Sequence, residues 1–155
     1  MTGATDVRRL GPGDRDLARR LFAMMDDVFE AASEPLGDAY VDTLLGRTSF
    51  WAVAALSGND VVGGLTAHEL PMTRAETHEL FIYDVAVHAE HRRQGIGRQL
   101  LRVLCAEAGI AGIENVFVPV ENEDEEALEF YRATGGEPMS VTMFTYASSA
   151  AASIR

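Results

Sequence analysis

Three observations predict an α/β (α+β) fold, a single domain with helices flanking a sheet, for this 155-residue chain. Stretches with alternating or continuous apolar character take turns with stretches whose apolar residues recur at helical spacing. Glycine and proline punctuate most of the boundaries between them. Hydrophobic residues make up 47% of the sequence and charged residues 24%, the balance of a globular domain with one sizeable core. The domain is expected to span residues 1–147, with the Ser/Ala-rich residues 148–155 as a flexible tail.

Each element follows from local chemistry. Asp6 to Leu10 (DVRRL) is a short strand candidate, closed by Gly11, Pro12 and Gly13. Asp14 can cap a helix through about Phe29, with Leu17, Leu21, Met24, Met25 and Val28 along one face. Pro35 and Gly37 break the chain, and Asp38 is the expected cap of a second helix carrying Tyr40, Val41, Leu44 and Leu45. FWAVAAL and VVGGLTAHEL read as two strands joined by Ser57-Gly58-Asn59-Asp60. Pro71 opens a polar loop, and THELFIYDVAVH is a longer strand. Leu100, Leu101, Leu104, Cys105 and Ala108 then define a helix whose apolar face would bury the Cys105 thiol. NVFVPV is a strand in which Pro119 removes one ladder donor. Asn122 with Glu125 predicts a capped helix start, Gly135-Gly136 its end, and SVTMFTYA a closing strand.

The charge narrows the function. Asp and Glu outnumber Lys and Arg by 24 to 13, for a net charge of -11. That disfavours nucleic acid as a partner and suits a cationic one, although acidity also simply keeps a protein soluble. Cys105 is the single cysteine, so no internal disulfide is expected and a reducing cytoplasm fits. The opening MTGATDVRRL has no leader pattern, and no apolar run is long enough to predict a membrane partner. His68, His78, His88 and His91 lack metal-ligand spacing, so no metal is expected.

Against this acidity, HRRQGIGRQ stands out directly after the longest strand. A helix N-terminus offers unpartnered N–H groups and partial positive charge, and Gly95 and Gly97 would let a ligand approach the backbone. The stretch is not a Walker loop, because Gly97-Arg98-Gln99 replaces Gly-Lys-Ser/Thr, and Leu100 stands where a dinucleotide fingerprint needs glycine. Arg92-Arg93-Gln94-Gly95-Ile96-Gly97 remains, a phosphate cradle or a structural turn. Asp84 interrupts the apolar run Phe81 to Val87, where a charge is costly unless it has a partner or a task. It is the candidate general base, or alternatively half of a structural ion pair.

DVAVHAEHRRQGIGRQLL resembles the acetyl-CoA-binding segment of the GNAT superfamily of N-acetyltransferases, and FYRATGG is similar to that fold's helix-end motif. Glu137 departs from it, standing where an aromatic is common. More narrowly, Leu70-Pro71, Ile82-Tyr83-Asp84 and the acidic run Glu121 to Glu126 resemble the type I aminoglycoside 3-N-acetyltransferases. The resemblance implies a mixed, mostly antiparallel sheet with splayed strands, acetyl-CoA as donor and a homodimer. It implies that backbone N–H groups from Arg93 through Gln94, Gly95, Ile96 and Gly97 to Arg98 hold the pyrophosphate, with Arg92 beside them. Main-chain groups around Val85, Ala86 and Val87 would pair with the pantetheine arm. Tyr131 would be the general acid, unless it and Phe130 are core aromatics. Asp84 and Glu121 would receive the cationic aminoglycoside, Glu121 being the second candidate for the base, with Glu123, Asp124 and Glu125 and, at the end of the first helix, Asp26, Asp27 and Glu30 as further carboxylates. The implied reaction is direct attack in a ternary complex, with no acetyl-cysteine. Polyamine or protein acetylation, and acyl-CoA binding without catalysis, are the alternatives.

Overall fold

The computed structural model describes residues 3–155, so the first two residues of the expected domain lie outside the described residues. The described chain forms two compact units that divide after Pro119. The first holds a five-stranded sheet in the order β1-β2-β3-β4-β5: Asp6–Arg9, Phe50–Ser57, Asp60–Pro71, His78–Val87 and Asn115–Phe117. The first three pairings are antiparallel and β4–β5 is parallel, so the sheet is mixed and mostly antiparallel.

Helices cover both faces. α1 (Arg15–Val28) and α2 (Asp38–Gly46) supply Leu17, Leu21, Met24, Met25, Val41 and Leu45 to one cluster, which receives Phe50, Ala52, Ala54 and Leu56 from β2. α3 (Ile96–Ile110) brings Ile96, Leu100, Leu104 and Ala108 to the other, against Trp51, Val53, Ala55, Leu65, Ala67, Leu80 and Ile82. The alternate residues of β2 thus go to opposite clusters, which is why FWAVAAL is apolar throughout. Leu100 and Leu104 have no exposed surface, and burying each contributes about 2 kcal/mol. Trp51 is fixed on the α3 face: its Nε1 donates to Glu69 Oε1 at 2.8 Å, and the Arg9 guanidinium lies 3.7 Å from its ring centroid.

Helix starts differ from expectation in their chemistry. Asp14 does occupy the N-cap position of α1, but Oδ2 accepts from the Gly11 N–H at 2.8 Å and Oδ1 from Arg8, tying down the preceding turn. The cap of α2 is Gly37, one residue before the expected Asp38. Asp38 instead pairs with Arg15 and Arg19, and Asp42 takes two further bonds from Arg15, so α2 is clamped to α1 by charge.

The second unit, Val120–Arg155, contains α4 (Glu125–Ala133). Its cap is Asp124, whose Oδ1 accepts from the Ala127 N–H at 3.0 Å, and not the expected Asn122. The expected glycine ending is present: Gly135 has φ 96°, its N–H reaches the Arg132 carbonyl, and the Gly136 N–H reaches the Tyr131 carbonyl at 2.8 Å. A Cβ on Gly136 would lie 3.0 Å from that carbonyl, so the second glycine is needed too.

Two expected strands are corrected. NVFVPV is a strand only over Asn115–Phe117, ending before Pro119. SVTMFTYA forms no strand: β-propensity needs a neighbouring ladder, and this segment pairs with none among the described residues. Met143, Phe144 and Tyr146 are accordingly exposed. The terminal Ser/Ala-rich segment winds into a 3-10 helix at Ser148–Ser153.

Candidate active site

The site is built on β4 and the loop that follows it. β4 pairs with β5 over Glu79, Leu80 and Phe81, and among the described residues its second half has no strand on that side. On the other side it stays paired to β3 through Val87, and the His88 N–H donates to Val62 at 2.8 Å. Because backbone direction alternates along a strand, the N–H groups of Val85 and Val87 point to the side that β5 has left. The pairing of β4 with β5 ends at Phe81 and Phe117, two residues before Pro119. An extended chain with amide groups could add itself to this edge.

Beyond β4, a 3-10 turn at Ala89–His91 leads into Arg92-Arg93-Gln94-Gly95 and the start of α3. Arg93 and Gly95 have φ 61° and 79°, two left-handed residues with Gln94 between them. Such turns aim successive N–H groups inward and make anion-binding concavities at a helix N-terminus. A Cβ added at Gly95 would meet nothing within 4 Å, so glycine is required there by its dihedral and not by crowding. Arg93 accepts the same conformation with a side chain, a strain that tends to mark functional turns. Ile96 is buried and anchors the loop, whereas Arg92, Arg93, Gln94 and Arg98 are exposed. The open edge and this cradle together fit a ligand with a phosphate end and an amide-bearing arm, as acetyl-CoA has.

Asp84 owes its position to a one-residue bulge. Asp84 lies opposite Thr66 and Ile82 opposite Ala67, so Tyr83 is an extra residue in β4 with no partner of its own in β3. Unbroken alternation would send Asp84 to the same face as Leu80 and Ile82, into the apolar cluster under α3. The bulge reverses the phase, and Ala86 accordingly joins the α1/α2 cluster. Asp84 emerges half-buried, opposite Thr66 on β3, with the Thr66 hydroxyl and His68 acting on its carboxylate. Burial is the largest influence and raises its pKa above the usual carboxylate range, while the Thr66 hydrogen bond and His68 pull the other way. A carboxylate held this way is a better proton acceptor than an ordinary aspartate. No arginine pairs with it in the described structure, so the structural ion pair is not formed.

The other expected carboxylates fall in different places. Asp26, Asp27 and Glu30 make the end of α1: the Glu30 N–H bonds the Asp27 carbonyl, the Ala31 N–H bonds that of Asp26, and Glu30 has φ 54°. The Asp26 carboxylate also accepts from Ser33. Glu121, Glu123, Asp124 and Glu125 belong to the second unit, at exposed positions before and within the first turn of α4. Asp124 already caps that helix. Tyr131 is half-buried on α4, its ring 5.0 Å from that of Phe130 and inclined at 66° to it. Burial first and the Asp124 carboxylate second raise its phenol pKa, so it holds its proton throughout the neutral range.

Thr66, His68 and the aromatic setting of Tyr83 were not anticipated. Thr66 and His68 sit two apart on β3 and look unremarkable until the bulge sets Asp84 beside them. Cys105 corrects another expectation, because it is exposed and not buried. Leu100, Leu104 and Ala108 form the inward ridge of α3, and the line through Leu101 and Cys105 rolls off it toward solvent. Partial desolvation raises the thiol's pKa, which disfavours a thiolate nucleophile. Cys105→Ala should leave turnover within about twofold of the parent, measured as thiol release from acetyl-CoA. Loss of turnover in a folded variant would sink that reading.

Known proteins share this fold. A model of the acetyltransferase (GNAT) family matches residues 18–135. An aminoglycoside acetyltransferase, meta-AAC0020 from an uncultured soil metagenomic sample, crystallised with trehalose, is 32% identical with a TM-score of 0.88 over 92% of this chain and 95% of that one. HMB0005, an aminoglycoside acetyltransferase also from an uncultured soil metagenomic sample, is 32% identical with a TM-score of 0.85, covering 94% and 99% of the two chains. N-acetyltransferase family 8 member 3 of Mus musculus is 26% identical over 64% of this chain, which spans only 43% of that protein's length. With the parted strands, the left-handed loop and the family match all in one chain, this protein belongs to the GNAT acetyltransferase family.

Proposed function

We propose that the protein transfers acetyl from acetyl-CoA to the 3-amino group of aminoglycoside antibiotics, by direct attack in a ternary complex. One observation carries the reading above all: the bulge that turns Asp84 out of the apolar core and onto a sheet face, beside the edge left open by β5. The similarity to aminoglycoside acetyltransferases, one of them also crystallised with sisomicin, supports the acceptor class. The choice of the 3-amino position rests on Leu70-Pro71 and Ile82-Tyr83-Asp84.

Each residue then has a task. Backbone groups of Val85 and Val87, and N–H groups from Arg93 to Arg98, hold the donor, with Arg92 adding charge. Bound acetyl-CoA supplies an activated acyl group on a thioester. Asp84 takes the proton from the acceptor's ammonium so that a neutral amine can attack, and Tyr131 keeps a proton available for the leaving sulfur. Glu121 and Glu123, with Asp27 and Glu30, attract the polycation toward the site. The enzyme acts in the cytoplasm as a homodimer, as the resemblance implies. Acetylation would remove a positive charge and a donor from the drug and weaken its hold on RNA phosphates.

The test is thiol release from acetyl-CoA with purified protein, in the presence of gentamicin and separately of spermidine. Release with gentamicin, with a product one acetyl group heavier at the 3-amino nitrogen by NMR, is the expected result. Release with spermidine alone would transfer the acceptor assignment to polyamines. Binding of acetyl-CoA without release to either would point to a protein amine or to a binding module.

A further inference from the structure

The bulge that frees Asp84 has a second product. In an unbroken strand Tyr83 and Asp84 would point to opposite faces. Here the Tyr83 ring centroid lies 5.8 Å from that of His68, and Asp84 lies directly opposite Thr66. Thr66 and His68 are two residues apart on β3 and share a face, so Tyr83 and Asp84 share it too. An aromatic ring and a carboxylate, adjacent in sequence, therefore present themselves to the same side of the sheet.

The ring is both exposed and held. Tyr83 is 65% exposed, unusual for a large aromatic in the middle of a strand. Its plane stands at 78° to His68 and at 82° to Phe81, whose centroid is also 5.8 Å away. Phe50 backs His68 at 5.4 Å and Phe117 backs Phe81 at 5.3 Å. The row crosses four strands, from β2 to β5, with Tyr83 at its centre. A ring fixed from two sides loses little freedom on meeting a ligand, so its contact surface is preorganised.

We propose that Tyr83 is an acceptor-binding and specificity-determining residue: its ring receives the apolar face and protonated amine of an aminocyclitol, while Asp84 engages the amine that reacts. The inference rests on the aminoglycoside reading above and deepens it. An aromatic face attracts a cation and also covers the C–H face of a saturated ring. An aminocyclitol offers both on one rigid scaffold. A linear polyamine offers charge without a ring face, so the platform favours the cyclic amine, and the chain's charge of -11 complements either. Tyr83 takes no proton and breaks no bond.

Three variants with gentamicin and spermidine as acceptors test it. Tyr83→Phe keeps the ring and should leave the gentamicin KM within about twofold. Tyr83→Ala should raise that KM about tenfold, equivalent to about 1.4 kcal/mol, with kcat and the acetyl-CoA Kd within about twofold. Tyr83→Leu, which keeps the bulk without the aromatic face, should raise it about fivefold. Any spermidine KM should move less than about twofold in all three. A gentamicin KM unchanged in Tyr83→Leu, or an equal rise for both acceptors, would overturn the proposal while leaving the aminoglycoside reading in place. Failure of the parent protein to bind or acetylate gentamicin would overturn both.

Discussion

Asp84→Asn is expected to lower kcat/KM for gentamicin by roughly a hundredfold to ten-thousandfold, the usual contribution of a positioned general base. Asparagine keeps the shape opposite Thr66, so the loss would report the proton acceptor and little else. Stability should move the other way. Burial holds the Asp84 pKa above its unfolded value, so the folded state favours the protonated form. Its contribution to folding is fully present below the ordinary aspartate pKa and is lost as pH rises through the raised value. At neutral pH the carboxylate is therefore a small liability, and Asp84→Asn should melt at or slightly above the parent temperature there. The advantage should shrink as pH falls toward 4. In the parent enzyme the acidic limb of kcat/KM should lie above the usual carboxylate range. A variant that kept full activity, or an acidic limb at or below ordinary aspartate titration, would remove Asp84 from the base's role.

Gly64→Ala is expected to produce the largest loss of stability. A Cβ there would lie 2.2 Å from Leu21 Cδ1 and 2.7 Å from the Val53 carbonyl oxygen. Leu21 is fully buried and cannot swing away, and the carbonyl belongs to the neighbouring strand's ladder. Forcing one methyl into so tight a core costs about 3 kcal/mol, or roughly an 8 °C fall in Tm for a chain of this length. Gly64 lies opposite Ala86, so the disturbance reaches the rung next to Val85 and Val87. Activity at low temperature should also weaken through acetyl-CoA binding. Thermal unfolding followed by circular dichroism checks the first effect, and a fall below about 2 °C would show that α1 has room to retreat. On the opposite face, a Cβ at Gly63 would come within 2.9 Å of Ile96 Cγ2. The two glycines thus let α1 and α3 press on the sheet from both sides at one point.

Much of this architecture could be read in the sequence because it is encoded locally. The order of elements, the apolar faces of α1 and α3, the parting near Pro119 and the loop Arg92 to Gly97 all follow from spacing, glycine and proline. Asp84 announced itself as a charge within an apolar run. What escaped depends on partners. The bulge at Tyr83 is a property of two strands in register, and β4 alone carries no sign of it. Asn122 and Asp124 are both sound caps, and only the turn before α4 selects the second. Cys105 lies at the margin of an apolar face, where a fraction of a helical turn decides between core and solvent. Residues 140–147 have the composition of a strand but lack a partner strand, which composition cannot supply.

The extra residue in β4 also makes the strand intolerant of changes in length by an odd number. Upstream of Tyr83 the inward positions are Leu80 and Ile82, and downstream Val85 and Val87 pack beside the α3 cluster. Deleting one residue from this stretch would not merely shorten a strand. It would exchange the parity of everything on one side of the cut, returning the carboxylate to the oily face beneath α3 or turning the valines outward. Only compensated changes, an insertion balanced by a deletion, would keep chemistry and packing on their own faces. Sequence drift in this enzyme is therefore expected to proceed by substitution across Ile82 to Val87, with length variation pushed out to the polar turn at 72–77.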